Sequence, residues 1–188
     1  MAPSFLLLPP YHFNSADLGV YLVSSFAGIV IAYPIAGPLT DILSRAITRF
    51  RNGVHYPENR LPALIVAFLI CPPGIILWGY IFAENGSYIT SAVGQAMQVA
   101  AMVLVPSVVL SVVVDAYPKE GSEAMVLINA GKNLIAFGIT VSTTIWITNV
   151  GLAKMVWEMA AVQWAVLLFA IPLFIWGSWL RNKTFWIV

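Results

Sequence analysis

The feature that most constrains the fold of this chain is a series of five long apolar segments. A helix needs about 20 apolar residues to cross the hydrocarbon core of a bilayer. Segments of that length occur at 17–38, 61–82, 88–114, 123–147 and 157–180. We therefore predict an all-α membrane protein in which each segment forms one transmembrane helix, and we expect the lipid bilayer to be its surroundings.

The composition supports a membrane protein and argues against several other classes. Hydrophobic residues make up 60% of the chain and charged residues 9%, whereas soluble proteins have about 45–50% and about 25%. The net charge of +1 argues against a nucleic-acid partner, which would need a basic patch. The lone Cys71 lies in an apolar run, so we expect no disulfide within the chain, no metal site and no cofactor.

The polar segment 39–60, between the first two predicted spans, fixes the expected orientation. It contains Arg45, Arg49, Arg51 and Arg60, four of the nine basic residues, and short arginine-rich loops stay in the cytosol. With five spans, seven basic residues fall on that side and only Lys154 on the other. We therefore expect a cytoplasmic loop at 39–60, an N-terminus outside and a cytoplasmic C-terminus.

Small residues recur every four positions in the first span. Ser24, Gly28, Ala32 and Ala36 share one helix face, where small side chains let two helices approach closely within lipid. We favour helix packing over substrate contact as the role of this face.

The third and fourth spans carry polar side chains that a lipid-facing helix would not need. A stripe on the fourth span predicts a face toward the bundle interior or an aqueous path. For Lys132, extension of the side chain to the interface is the alternative. Gln95 and Gln98 share a face of the third span, and interhelical hydrogen bonding and ligand contact are equally good explanations for them. The candidate substrate path consists of Gln95, Gln98, Asn129, Lys132 and Asn133.

Several motifs resemble those of a known family. Gly37-Pro-Leu-Thr-Asp41 followed by Arg45 and Arg49, then Pro57-Glu58-Asn-Arg60-Leu and Asp115-Ala-Tyr117, resemble the second half of fungal major facilitator superfamily transporters, especially drug:proton antiporter-like members. The resemblance implies that the five spans are helices eight to twelve of a twelve-helix fold. The chain would then be a partial C-terminal bundle whose partner, the N-terminal half with helices one to seven, is missing.

The resemblance also implies a function. Gly37, Asp41, Arg45 and Arg49 would form a cytoplasmic gating motif, in which Asp41 can pair with Arg45 one turn further on. A purely topological role for the arginines is the alternative. The chain would be a fragment of a secondary transporter that moves a small solute by alternating access, inactive alone and located in the plasma membrane.

The sequence leaves one alternative to transport and argues against another. A non-transporting multi-pass scaffold protein remains the alternative. An enzyme is not expected, because His12 and His55 lie in predicted loops and Cys71 is solitary, so no catalytic set converges within the bilayer.

Overall fold

The structure, a computed structural model, describes residues 12–50, 56–84 and 86–184. Its helices are α1 (Ser15–Pro34), α2 (Thr40–Phe50), α3 (Leu64–Ala83), α4 (Tyr88–Ala116), α5 (Gly121–Val150), α6 (Leu152–Leu168) and α7 (Ala170–Thr184). A π-helical turn (Ile35–Leu39) joins α1 to α2, and a 3-10 helix (Pro57–Ala63) precedes α3. The described residues include no strand.

Five helical stretches are long and apolar enough to cross a membrane, as predicted. They are Ser15–Phe50, Pro57–Ala83, Tyr88–Ala116, Gly121–Val150 and Leu152–Gly177. The all-α fold class with five transmembrane helices is therefore confirmed.

The predicted cytoplasmic loop at 39–60 contains helix α2 and the start of the 3-10 helix. A π-helical turn accommodates Pro38, which cannot donate a backbone hydrogen bond. Helix α2 then begins with Asp41 in its first turn and ends with Arg49 in its last, an arrangement that complements the helix dipole. Because α2 follows the π-helical turn directly, the helical stretch Ser15–Phe50 is continuous.

Helix α4 lies at the centre of the bundle, and small residues allow α1 to pack closely on it. A Cβ atom added to Gly28 would lie 2.4 Å from the carbonyl oxygen of Ala96. One turn and two turns further on, Ala32 and Ala36 are buried with Ala100 of α4. The face that these residues form is therefore a helix-packing face.

The last span is divided into two helices. Pro172 lies in the first turn of α7, where its ring would clash with the carbonyl group of Leu168 in a continuous helix. Helix α6 accordingly ends at Leu168, and α7 starts at Ala170.

Helix α5 forms the least covered of the five candidate spans. Only Gly121 and Thr143 of its residues are buried. It connects to α6 through Gly151, whose φ of 82° suits a glycine at the end of a helix. Across this turn, Trp146 Nε1 donates a hydrogen bond of 2.7 Å to Glu158 Oε2.

We predict that Gly28→Ala destabilises the bundle although alanine is the better helix former. The added methyl group would meet backbone atoms of Ala96, and forced overpacking costs about 1–3 kcal/mol. Gly138→Ala in α5 is the matched control, because a Cβ there meets nothing within 4 Å and should stabilise the helix by about 0.5–1 kcal/mol. Unfolding free energies in mixed detergent micelles measure both changes, and an equal response of the two variants would contradict the packing.

Candidate functional site: an ionic cluster and interhelical amides

Arg60 joins the ends of three spans. Its side chain, in the 3-10 helix before α3, donates from Nη1 to Asp41 Oδ1 at 2.8 Å and from Nε to Asp115 Oδ2 at 2.7 Å. Asp41 is the second residue of α2, and Asp115 is next to last in α4. The side chains of Arg60 and Asp115 are only 22% and 26% exposed. We call these three residues the Arg60 cluster.

The sequence reasoning missed this cluster. It considered Arg45 as the partner of Asp41, but in the described part of the chain Asp41 pairs with Arg60 instead. An arginine fork can serve two carboxylates at once. The sequence contained part of the signal: Arg60 directly precedes the second predicted span and Asp115 directly follows the third, so antiparallel spans bring both to one end of the bundle. The pairing of their side chains could not be predicted from this.

The four predicted gating residues have different surroundings in the structure. Asp41 belongs to the Arg60 cluster. Gly37 lies in the π-helical turn, and a Cβ there would meet nothing within 4 Å. Arg45 and Arg49 are exposed on α2, and neither forms an ion pair with another described residue.

Gln95 and Gln98 connect α4 to other helices within the apolar bundle. Gln98 Nε2 donates to the carbonyl oxygen of Cys71 in α3. Gln98 Oε1 accepts from Gln163 Nε2 of α6 at 3.4 Å. Gln95 Nε2 donates to Ser25 Oγ of α1 at 3.5 Å. Because amides in hydrocarbon need partners, this geometry favours interhelical hydrogen bonding over ligand contact for both residues.

Asn129, Lys132 and Asn133 are exposed on α5. Their side chains make no hydrogen bond or ion pair with the described residues, so no such contact joins them to Gln95 or Gln98. The apolar face is equally uncovered, since Leu127 is 75% and Leu134 73% exposed. Helix α5 thus presents both a polar and an apolar face to its surroundings.

An apolar cavity lies near the Arg60 cluster. It has a volume of about 500 Å³ and is lined mainly by α4, α6 and α7, with Glu58 and Tyr117 as polar members of its wall. Glu58 is 7% exposed and packs against Gly177, where a Cβ would lie 2.7 Å from Glu58 Cγ. No group of three or more His, Cys, Asp or Glu that could hold a metal ion occurs among the described residues.

Together, the fold and these polar contacts define a multi-pass helical membrane protein. Comparison with known proteins makes the class more specific. Protein HOL1 of Saccharomyces cerevisiae is 23% identical over 176 residues, which cover 94% of this chain and 30% of HOL1. The probable efflux pump mfs2 of Aspergillus flavus is 26% identical over 119 residues, 63% of this chain and 28% of the pump.

A third relative agrees with these two. An uncharacterized MFS-type transporter of Schizosaccharomyces pombe is 22% identical over 175 residues, 93% of this chain and 30% of the transporter. No family model matches the chain, and no solved structure matches it. The predicted resemblance to fungal major facilitator superfamily transporters is confirmed, and such transporters are not enzymes in general. The chain spans 28–30% of the length of these three relatives.

We predict that Arg60→Gln lowers the free energy of unfolding by about 1–3 kcal/mol, because charge-assisted hydrogen bonds are lost and two carboxylates remain. Asp41→Asn should cost less than about 1 kcal/mol, since Asp41 is 47% exposed and exposed ion pairs contribute little. Titration of the purified chain with a denaturing detergent measures the free energy of unfolding of both variants.

Lys119→Gln is the control for this comparison. Lys119 is exposed and lies at the same end of the bundle, between α4 and α5. Its removal should leave the unfolding free energy within about 0.5 kcal/mol of the original. If Arg60→Gln behaved like this control, the cluster would have no structural role.

Proposed function

We propose that this chain is part of a secondary transporter that moves a small solute by alternating access. The observation that carries the proposal is the polar face of α5. Asn129, Lys132 and Asn133 are exposed on a helix long and apolar enough to cross a membrane. Polar and ionisable residues at such positions usually face a cavity or a solute path. The similarity to transporters along most of the chain supports the same conclusion, whereas a non-transporting scaffold gains no support from it.

In this proposal α5 forms one wall of the solute path. Gln95 and Gln98 border it from α4, where their amides also hold α1, α3 and α6. Lys132 would give the wall a positive charge. The remaining wall would come from helices one to seven of the twelve-helix fold, and this chain would supply helices eight to twelve.

The Arg60 cluster would act as the gate. Transport by rocking requires contacts that form in one state and break in the other. The ionic contacts of Arg60 join the ends of three spans, so their rupture would free these ends to move. Asp41 takes part directly, while Gly37 would let the π-helical turn bend and Arg45 and Arg49 would supply positive charge at the same end.

We further propose that the Arg60 end is cytoplasmic, in the plasma membrane, with the N-terminus outside. The support is the distribution of basic residues: the segment 39–60 alone has four of the nine, and the cytoplasmic side attracts such segments.

We predict that the polar face of α5 is in contact with water in the complete transporter. In a Cys71→Ala background, cysteine at Asn133 should react with a membrane-impermeant thiol reagent, whereas cysteine at Leu134 should not, because it would face lipid. Both positions are exposed in the bundle, so exposure alone does not separate them. Equal labelling of the two positions would exclude an aqueous path along this face.

We also predict that the 188 residues alone do not transport. Rocking requires two bundles around a shared site, and only five candidate spans occur in the described residues. The test is flux of a panel of radiolabelled solutes into vesicles containing the purified chain, with a longer curated relative reconstituted in parallel. Saturable flux through the chain alone would show that it is a minimal transporter.

A further inference from the structure

The outer face of α2 combines two arginines with exposed apolar side chains. Ile42, Arg45, Ala46, Arg49 and Phe50 are spaced at three to four residues and therefore share one side of the helix. All five are exposed, Ile42 at 61% and Phe50 at 90%. We call this surface the α2 outer face.

The opposite face holds α2 in place. Thr40 is 2% exposed and Ser44 3%, and Leu43 packs against the buried residues at the start of α3. One turn further on, Thr48 Oγ1 accepts a hydrogen bond of 3.0 Å from Asn59 Nδ2. These contacts fix the rotation of the helix, so the outward direction of Arg45 and Arg49 follows from the packing.

Helix length places this face at the level of the lipid headgroups. The residues from Ser15 to Leu39 are helical and extend about 37 Å at 1.5 Å per residue, which already exceeds the hydrocarbon thickness of about 30 Å. Helix α2 continues beyond that length. The charged Arg60 cluster at the start of α2 agrees with a position outside the hydrocarbon.

The charge of the two arginines is not neutralised within the described residues. Asp41, one turn before Arg45, is bound by Arg60, and neither Arg45 nor Arg49 makes an ion pair there. Their Cβ atoms are about 5–6 Å apart, as for any residues four apart in a helix. Two adjacent guanidinium groups can therefore reach a single phosphate, a group whose geometry the arginine fork matches.

We propose that the α2 outer face binds the headgroup of an anionic phospholipid. Arg45 and Arg49 bind the phosphate and the headgroup carboxylate, while Ile42, which lies on the membrane side of both arginines, contacts the glycerol backbone of the lipid. The position of α2 next to the end of a span favours a lipid over free phosphate, since the phosphates of the headgroups are concentrated there. Basic residues next to the end of a transmembrane helix attract anionic headgroups in this way. This proposal does not depend on whether the chain transports.

The experiment is native mass spectrometry of the purified chain in detergent, titrated with phosphatidylserine and separately with phosphatidylcholine. The unchanged chain should bind phosphatidylserine more tightly than phosphatidylcholine. Arg45→Gln combined with Arg49→Gln should weaken phosphatidylserine binding by up to about thirtyfold, about fivefold for each arginine. Binding of phosphatidylcholine should change much less.

The matched control is Lys119→Gln combined with Lys154→Gln. It removes the same charge from two exposed positions outside α2 and should keep the preference for phosphatidylserine. Arg45→Lys combined with Arg49→Lys keeps the charge without the fork and should bind with intermediate affinity. Circular dichroism and gel filtration identify any variant that fails to fold, and the comparison of the two lipids on the unchanged chain needs no variant.

Each outcome separates the possible explanations. An unchanged chain without preference for phosphatidylserine, or an equal loss in the two glutamine double variants, would overturn the proposal and leave the arginines as topological signals only. Displacement of phosphatidylserine by millimolar glycerol phosphate would show an anion site that does not recognise lipid, and would also overturn it. Loss confined to the α2 variants, with no displacement by glycerol phosphate, is the supporting result.

Discussion

The hydrocarbon core of a bilayer provides no hydrogen-bond partners, and most of this bundle follows from that constraint. Several polar side chains within the spans find partners in the protein. Thr140 and Thr143 donate to carbonyl groups one turn earlier in their own helix, at 2.7 and 2.6 Å. Gln98 instead contacts two other helices. The hydrogen bonds of the threonines leave their helix independent of its neighbours. The hydrogen bonds of Gln98 specify which helices must be adjacent.

Close packing and amide bonding depend on each other at the centre of the bundle. A Cβ added to Gly74 of α3 would lie 3.2 Å from Gln98 Nε2, and one added to Gly94 of α4 would lie 2.7 Å from the carbonyl oxygen of Gly74. The glycines thus bring the two backbones close enough for the amide of Gln98 to reach the carbonyl group of Cys71. A larger residue at either glycine would separate the helices and leave that amide without its partner, so packing loss and hydrogen-bond loss would occur together.

The sequence predicted features that depend on one helix and missed those that depend on the register between helices. Hydropathy was sufficient for the five spans, and the spacing of Gly28, Ala32 and Ala36 was sufficient for a packing face. The partners of Arg60 required the heights of three span ends relative to one another, which no local pattern contains. The same holds for Gln163, which reaches Gln98 only because α6 packs beside α3. Arg45 and Arg60 occur in one basic segment, yet their directions differ because one follows the helical period of α2 and the other lies in the 3-10 helix.

The two uncovered faces of α5 are not energetically equivalent in a membrane. Leu127 and Leu134 can contact acyl chains without penalty, but a lysine near the centre of a lipid-facing helix costs about 2.5–3.5 kcal/mol. Lys132 is 11 residues from Gly121 in a 30-residue helix, within about 6 Å of the midpoint at 1.5 Å per residue. Two arrangements avoid this cost: extension of the side chain toward an interface, or a polar surface beside Lys132. The rotation of α5 that costs least directs Leu127 and Leu134 to lipid and the Asn129–Lys132–Asn133 face to water or to another polar surface.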